Sequence, residues 1–534
     1  MESQLPPLLL AFIGAVAVYF TNQIYQHRRK FRDLPGPPHS YLWGHLRILT
    51  KVAGKFPANT HPQVYLTEVA HHYNLKGIWY LDLWPFTFCQ AIITDPDLMD
   101  ETTSMNQHQM FDDQLSPLIG SNVVATANGE VWKKLHNSMA PPLALSHVRT
   151  QVGLLIDETL LLRDTLKRLA KSGSVISLEH ELSKLTFDIV GRIIFNQPLY
   201  AQTKGSPYLE DLQMISKLVV DSLSFNPLVK LKVALEKNAI RRRVDASITA
   251  KINERLIALR DQNVLPSRKE PYSILDLMLR DKIIESQKSP DRKGFSPEEM
   301  TLLVTNVKGL LLGAQGTTVD SLCWTYMMLA THPEILQKVR EEHDRIFGKD
   351  IETTLQTLEE SPRKLEEMTY SSAVLKEAMR MFPIGFSMKQ AKPGDTITYQ
   401  GRKYPIDEDL AIILEYQHLH YNPTYYPEPD EYRPERYLGD GIPRSWWRSF
   451  SRGPRSCIGQ NLAMNIMLTV LLLTVRDFDF ACYGLKPNAK PRASYTRLDT
   501  IFGDVIHPES QPEAKPRGGM MMAITESAYR PKDG

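Results

Sequence analysis

The sequence predicts a mainly α-helical protein with a minor β-sheet region, a single large domain preceded by one N-terminal transmembrane helix. Three observations carry that expectation. Apolar residues recur with helical period over 130–148, 150–172, 178–196, 207–236, 240–263, 273–284, 297–330, 333–347 and 369–381, the pattern of amphipathic or buried helices. Short strand-like runs appear at 77–94, 396–403 and 411–416, and the proline-rich stretch after 485 reads as loops around short strands, enough only for a minor sheet. No Asp, Glu, Lys or Arg occurs between Glu2 and Arg28.

That uncharged stretch justifies the first element. From Leu5 to Tyr25 it runs 21 residues, enough as a helix to cross roughly 30 Å of hydrocarbon. The basic flank Arg28-Arg29-Lys30-Phe31-Arg32 then keeps the C-terminal bulk in the cytosol by the positive-inside rule. A cleaved signal peptide would carry its basic residues before the apolar run, not after it. The expected organisation is an anchor over 1–27, a basic and Pro-rich hinge over 28–40 containing Leu34-Pro35-Gly36-Pro37-Pro38, and one domain over 41–534.

At roughly 150 residues per domain the length suggests several units, but no low-complexity linker or internal repeat divides the region 40–530. The 63 Lys and Arg against 61 Asp and Glu leave a net charge of +2, which gives no footprint for a nucleic acid. Hydrophobic residues at 42% and a mean hydropathy of −0.29 exclude both a multi-span membrane protein and a disordered chain. Cys89, Cys323, Cys457 and Cys482 are too few for a disulfide scaffold, and no two form a C-x-x-C pair.

One helix stands out. Ser296-Pro297-Glu298-Glu299 reads as a capping box with proline at the first helical position. Apolar periodicity continues to Thr331-His332-Pro333, where proline stops it. Gly309, Gly313 and Gly316 interrupt the middle within eight residues, each at about 1 kcal/mol relative to alanine. Two readings account for them: close packing against a crossing helix, or a flat cofactor or substrate lying against this one.

The segment Phe450-Ser451-Arg452-Gly453-Pro454-Arg455-Ser456-Cys457-Ile458-Gly459 leads into an apolar helix from Gln460 to about Leu473. A cysteine in a glycine-bracketed loop at a helix N-terminus receives backbone N–H groups and the positive end of the dipole, both of which favour thiolate. Such a thiolate suits haem iron, where it pushes electron density that promotes O–O cleavage. Gly453 and Gly459 would let the backbone approach the macrocycle, and Arg455 would meet a propionate. A lone cysteine is more often a small buried hydrophobe. Here Phe450, Gly453, Arg455, Cys457 and Gly459 match every fixed position of F-x-x-G-x-R-x-C-x-G. The segment resembles the haem-binding loop of the cytochrome P450 family.

The resemblance extends along the chain. Glu377-Ala378-Met379-Arg380 has the family's E-x-x-R spacing, with both charges on one helix face. Tyr432-Arg433-Pro434-Glu435-Arg436-Tyr437 is similar to its P-E-R-F segment. The likeness implies that Glu377, Arg380 and Arg436 form a buried ionic triad fixing the loop that presents Cys457 to haem b. The glycine-rich helix then matches the family's long central helix over the haem, and the style is most like eukaryotic microsomal members, particularly fungal enzymes of secondary metabolism. An endoplasmic reticulum membrane location is implied with it.

Departures from the pattern are informative. The family's central helix usually reads A/G-G-x-acid-T-T/S, whereas this one reads Gly313-Ala314-Gln315-Gly316-Thr317-Thr318. Glycine takes the acid's place while Thr317, whose counterpart helps deliver protons during oxygen activation, is kept. Asp320 lies one turn on from Gly316 on the same face. It is either a packing or salt-bridge residue or, with water held by Thr317, a replacement for the acid. Trp132-Lys133-Lys134-Leu135-His136 fits the family's W-x-x-x-R with His136 for arginine, and Lys389 sits where relatives often have arginine. Both are expected near the haem propionates. His418 and His420 alternate as if on a strand and are not expected to ligate metal.

No G-x-G-x-x-G fingerprint follows a strand, so electrons are expected from a separate NADPH–cytochrome reductase. Lys133, Lys134, Arg448 and Arg452 are candidate docking charges for that acidic flavoprotein. The family resemblance points to Phe111, Leu223, Phe225, Leu311, Ile384, Phe386, Ile501 and Phe502 as pocket walls, which imply a lipophilic small-molecule substrate oxidised with O2. The alternatives are an isomerase or dehydratase on the same scaffold, needing no external electrons, and a haem protein that binds a ligand without turnover.

Overall fold

A computed structural model of the chain describes residues 7–222, 224, 226–261, 273–288, 295–439 and 441–530. The helix Pro297–Thr331 is its axis, packed against the helices Leu178–Phe195, Pro227–Asp261 and Thr369–Met381. Its start is built as the sequence implies. The Glu299 N–H donates to Ser296 Oγ at 3.2 Å and the Ser296 N–H to Glu299 Oε2 at 2.8 Å, so two N–H groups that no helical carbonyl could reach are paired. From Leu322 to Leu329 its second half is apolar apart from Thr325, whose hydroxyl donates to the Ser321 carbonyl, and it is buried all round.

Two helix boundaries differ from expectation, both because of proline. The expected helix over 130–148 stops at Met139, before Pro141-Pro142, and resumes as short turns. The break expected between 236 and 240 falls instead before Pro227, giving helices Pro207–Ser222 and Pro227–Asp261. Pro227 starts a helix where its missing N–H costs nothing.

The main sheet has five strands in the order Ile78–Leu81, Cys89–Ile93, Leu410–Leu414, Ser387–Gln390, Asn106–Gln107. Only the Cys89–Ile93 and Leu410–Leu414 pair is parallel. A second sheet joins Val175–Ser177, Met521–Glu526 and Phe478–Cys482. A hairpin of Glu509–Ser510 and Ala514–Lys515 reaches back toward the central helix. His418 and His420 are not on a strand. They belong to the short helix Tyr416–Tyr421 and are buried. His420 Nε2 accepts the Arg448 N–H at 3.2 Å, while burial pulls its pKa down to about 3.

The N-terminal helix runs Pro7–Phe31, so residues expected to begin an extended hinge are helical. Among the described residues no helix is long and apolar enough to cross a membrane, and residues 1–6 of the expected span lie outside them. Arg28 is not a free cation of a membrane flank. It is 1% exposed, paired with Asp82 and donating to the Trp84 carbonyl at 2.6 Å. His39 Nε2 lies 2.8 Å and His27 Nε2 3.1 Å from the same carboxylate. Burial alone would raise the Asp82 pKa, but hydrogen bonds from His27, His39 and Arg28 outweigh it and hold it well below the ordinary carboxylate range. Its contribution to stability is therefore complete above about pH 4 and is lost as acid approaches the depressed value. Asp82→Asn should cost about 3 kcal/mol, the penalty for stranding a buried cation. Urea unfolding at neutral pH checks it, and the difference from wild type should shrink in acid.

Candidate active site

The Cys457 loop is held at both ends. The Cys457 N–H donates to the Phe450 carbonyl at 2.9 Å, and Gly459 caps the buried helix Gln460–Thr474. Gly453 has φ +75°, and a Cβ there would lie 2.6 Å from Thr103 Cβ, so no larger residue fits. Behind the loop, Trp447 Nε1 donates to the Lys376 carbonyl at 3.1 Å and Tyr416 Oη to Ser451 Oγ at 2.9 Å. These bonds set the height at which Cys457 projects.

Cys457 opens into a cavity of about 310 Å³ with Gly313, Thr317, Trp132, His136 and Phe450 on its walls. Gly459 and Arg455 line it too. A Cβ on Gly313 would meet nothing within 4 Å, which is the open face a flat group needs. Gly309 instead packs against Val123, whose Cγ1 would lie 3.0 Å from a Cβ there. Gly309 therefore packs closely against a loop rather than a crossing helix, while it and Gly313 both line the cavity. An adjoining space of about 400 Å³ shares Cys457, Thr317 and Phe450 and adds the apolar wall of Phe111, Ile384 and Phe386. Thr317 Oγ1 donates to the Gly313 carbonyl at 2.7 Å. Burial pushes the Cys457 thiol above its ordinary value, against the backbone N–H groups of Gly459 and Gln460. A cation bound at the sulfur would favour the thiolate.

At the cavity edge the Arg455 guanidinium lies 4.1 Å from the Trp132 ring centroid and donates to the Ala127 carbonyl and Asn128 Oδ1 at 2.8 and 3.0 Å. The Trp132 and His136 rings are 5.1 Å apart. Lys389, 1% exposed, lies one strand over, paired in register with Gln107 of the cavity wall. Burial and the charge of Arg455 pull its ammonium down to about 8. Neither cation has a carboxylate partner among the described residues, so the edge lacks two negative charges. Haem propionates would supply them.

Below the loop, Glu377 and Arg380 are 0% exposed. Arg380 donates to both Glu377 oxygens at 2.8 and 2.9 Å, and Arg436 Nε adds a bond of 2.9 Å. Burial works against the charge on Arg380, but Glu377 more than offsets it and its pKa is raised. Arg380 also donates to the His420 and Pro429 carbonyls, each at 2.8 Å.

Several expected residues lie elsewhere. Gly316 and Asp320 face a separate polar cavity of about 600 Å³ rather than the Cys457 cavity. Ile501 is 57% exposed, and Leu311 and Phe502 are core residues. Leu223 and Phe225 lie outside the described residues. The wall expected from Ile501 and Phe502 is supplied instead by Pro512 and Glu513 at the hairpin tip, in a stretch the sequence offers only as proline-rich loops around short strands. Arg448 is 2% exposed and paired with Asp100 at 2.8 Å, so it cannot dock a partner. Lys133 and Lys134 remain on the surface.

A sequence model of cytochrome P450 matches residues 35–497. The chain belongs to the cytochrome P450 family. It is 28% identical to the cytochrome P450 monooxygenase polC of Polytolypa hystricis over 88% of this chain and 86% of that one. It is 27% identical to the monooxygenase acrF of Aspergillus aculeatus over 89% and 99%, and 26% identical to ptmG of Penicillium ochrochloron over 97% and 94%. The crystal structure of the cytochrome P450DA heme domain superposes with a TM-score of 0.70 at 18% identity, covering 92% of this chain and 97% of that one. This P450 is an oxidoreductase of the monooxygenase kind, and its family implies haem with thiolate ligation.

Proposed function

We propose that this P450 inserts one oxygen atom of O2 into a lipophilic small molecule, with electrons from a separate NADPH–cytochrome reductase, in a fungal-type secondary-metabolite pathway. The observation that carries the reading is one cavity in which Cys457, Thr317 and an apolar wall meet. In this reading Cys457 holds the iron of haem b, Arg455, His136, Trp132 and Lys389 face the propionates, and Phe450 and Gly459 flank the ligand. The bound haem supplies the oxygen-activating chemistry. Phe111, Ile384 and Phe386 orient the substrate and exclude water, and Thr317 presents a hydroxyl beside the reacting atoms. Pro7–Phe31 associates the enzyme with the endoplasmic reticulum membrane through its exposed apolar residues Phe12, Val18 and Phe20.

Membranes containing this chain and a reductase are expected to convert substrate only when NADPH is supplied, with one atom of labelled dioxygen in the product. Product without NADPH would favour an isomerase or dehydratase. No NADPH use with any ligand that shifts the Soret spectrum would favour a binding protein.

A further inference from the structure

A monooxygenase consumes two protons for each product, because a C–H bond becomes C–O–H while the second oxygen atom leaves as water, at the expense of two electrons from the external reductant. Those protons must enter an apolar cavity. The central helix provides no acid at position 316, and Asp320 faces away from Cys457.

The hairpin fills this gap. A Cβ on Gly316 would lie 2.6 Å from Glu513 Oε1 and 3.2 Å from its Cδ, so the Glu513 carboxyl occupies the space that a side chain at 316 would use. The tip is pinned there, since the Ala514 N–H donates to the Ile384 carbonyl at 2.7 Å and the Gln511 N–H to the Glu513 carbonyl at 3.0 Å. Glu513 and Ser216 each line both the Cys457 cavity and the polar one, and of the two only Glu513 titrates. On the polar side Lys515 pairs with Glu179 at 2.7 Å, and Asp320, 2% exposed, has an Oδ2 with no hydrogen-bond partner. Exposed His180 lies at the rim. Around Lys515 the carboxyl groups of Glu179, Asp320 and Glu513 share one ammonium, with Glu210 and Lys217 also on the cavity wall, an arrangement that retains a proton.

We propose that Glu513 relays protons from the polar cavity, through the space left open by Gly316, to the Thr317 side of the active site. Glu513 gives its proton toward the reacting oxygen and regains one from Asp320 or from water reaching the rim. Burial pushes its pKa up to about 7 against the pull of Lys515, so Glu513 exchanges protons near neutrality, and burial with the charges of Glu513 and Glu179 raises Asp320 well above its ordinary value. The inference rests on the monooxygenase reading.

The test uses the full-length, haem-loaded protein with a reductase. Glu513→Gln should lower product formed per NADPH by about 100-fold, the lower end of the range of general-acid effects, and raise the solvent isotope effect. The thiolate Soret band of the reduced carbon monoxide complex should stay unchanged. In the resting protein, the infrared carboxyl band lost in Glu513→Gln should titrate near pH 7. Moving the acid to the helix, Glu513→Ala with Gly316→Asp, should restore coupling, whereas Gly316→Asp alone collides with Glu513 and should lower it. Unchanged coupling and isotope effect in Glu513→Gln would overturn the relay. So would a loss confined to affinity for a basic substrate, which would make Glu513 a substrate contact. A wild type lacking the thiolate Soret band would instead refute the monooxygenase reading, a result separate from the infrared one.

Discussion

Cys457→Ala is expected to abolish the thiolate-shifted Soret band of the reduced carbon monoxide complex and to reduce turnover by more than about 100-fold. Partners one shell removed from a metal typically cost 10- to 100-fold in affinity or activity when lost, and the ligand itself should cost more. The loop should survive the change, because it is fixed by the Cys457 N–H to Phe450 carbonyl bond, by Gly453 against Thr103 and by the Trp447 and Tyr416 bonds, none of which uses the sulfur. Far-ultraviolet dichroism should therefore match wild type while the spectrum does not. Cys482→Ala, on the partly exposed edge of the second sheet, should leave the Soret band intact. An unshifted Soret band in Cys457→Ala relative to wild type would remove the basis for thiolate ligation.

Glu377→Ala should destabilise the protein by about 3–5 kcal/mol, the cost of stranding a buried cation. Here the removed carboxylate pairs with two arginines, Arg380 at 0% exposure and Arg436 at 2.9 Å. It also accepts the Arg433 N–H at 3.1 Å. Without it, the segment around Pro429 loses the arginine geometry that holds it, and haem retention should fall with the thermal midpoint. The triple variant Glu377→Leu, Arg380→Met, Arg436→Met should lose less than Glu377→Ala, because no charge is left unpaired. Its failure to do so would show that the hydrogen bonds from Arg380 to the His420 and Pro429 carbonyls matter more than the charges.

The site was legible where its chemistry is local. Phe450, Gly453, Arg455, Cys457 and Gly459 lie within one turn and one helix start, so their spacing nearly dictates their geometry. The capping box at Ser296 and the pairing of Glu377 with Arg380 are local in the same way. Side chains whose partners come from elsewhere were misread. Arg28 has the look of a membrane flank, but Asp82 buries it. Arg448 resembles a docking charge, but Asp100 and the Pro96 carbonyl, at 2.8 Å each, claim it. Position 316 was the hardest. Its missing acid is visible in the chain, while the Glu513 carboxyl in that space belongs to a hairpin whose approach no periodicity reveals.

The sequence by itself determined the helical class, the central helix with its cap and its proline stop, and the cysteine that faces the cavity. Each depends on propensities and spacings within a few residues. Only the tertiary structure decided which acid lies beside position 316, which cations are free and which hydrophobic residues line the cavity. Those properties depend on what a side chain meets across the fold, and desolvation and pairing at that point set its charge. Gly316 and Glu513 are the instance: the absence is written in one helix, and its counterpart arrives from another part of the chain.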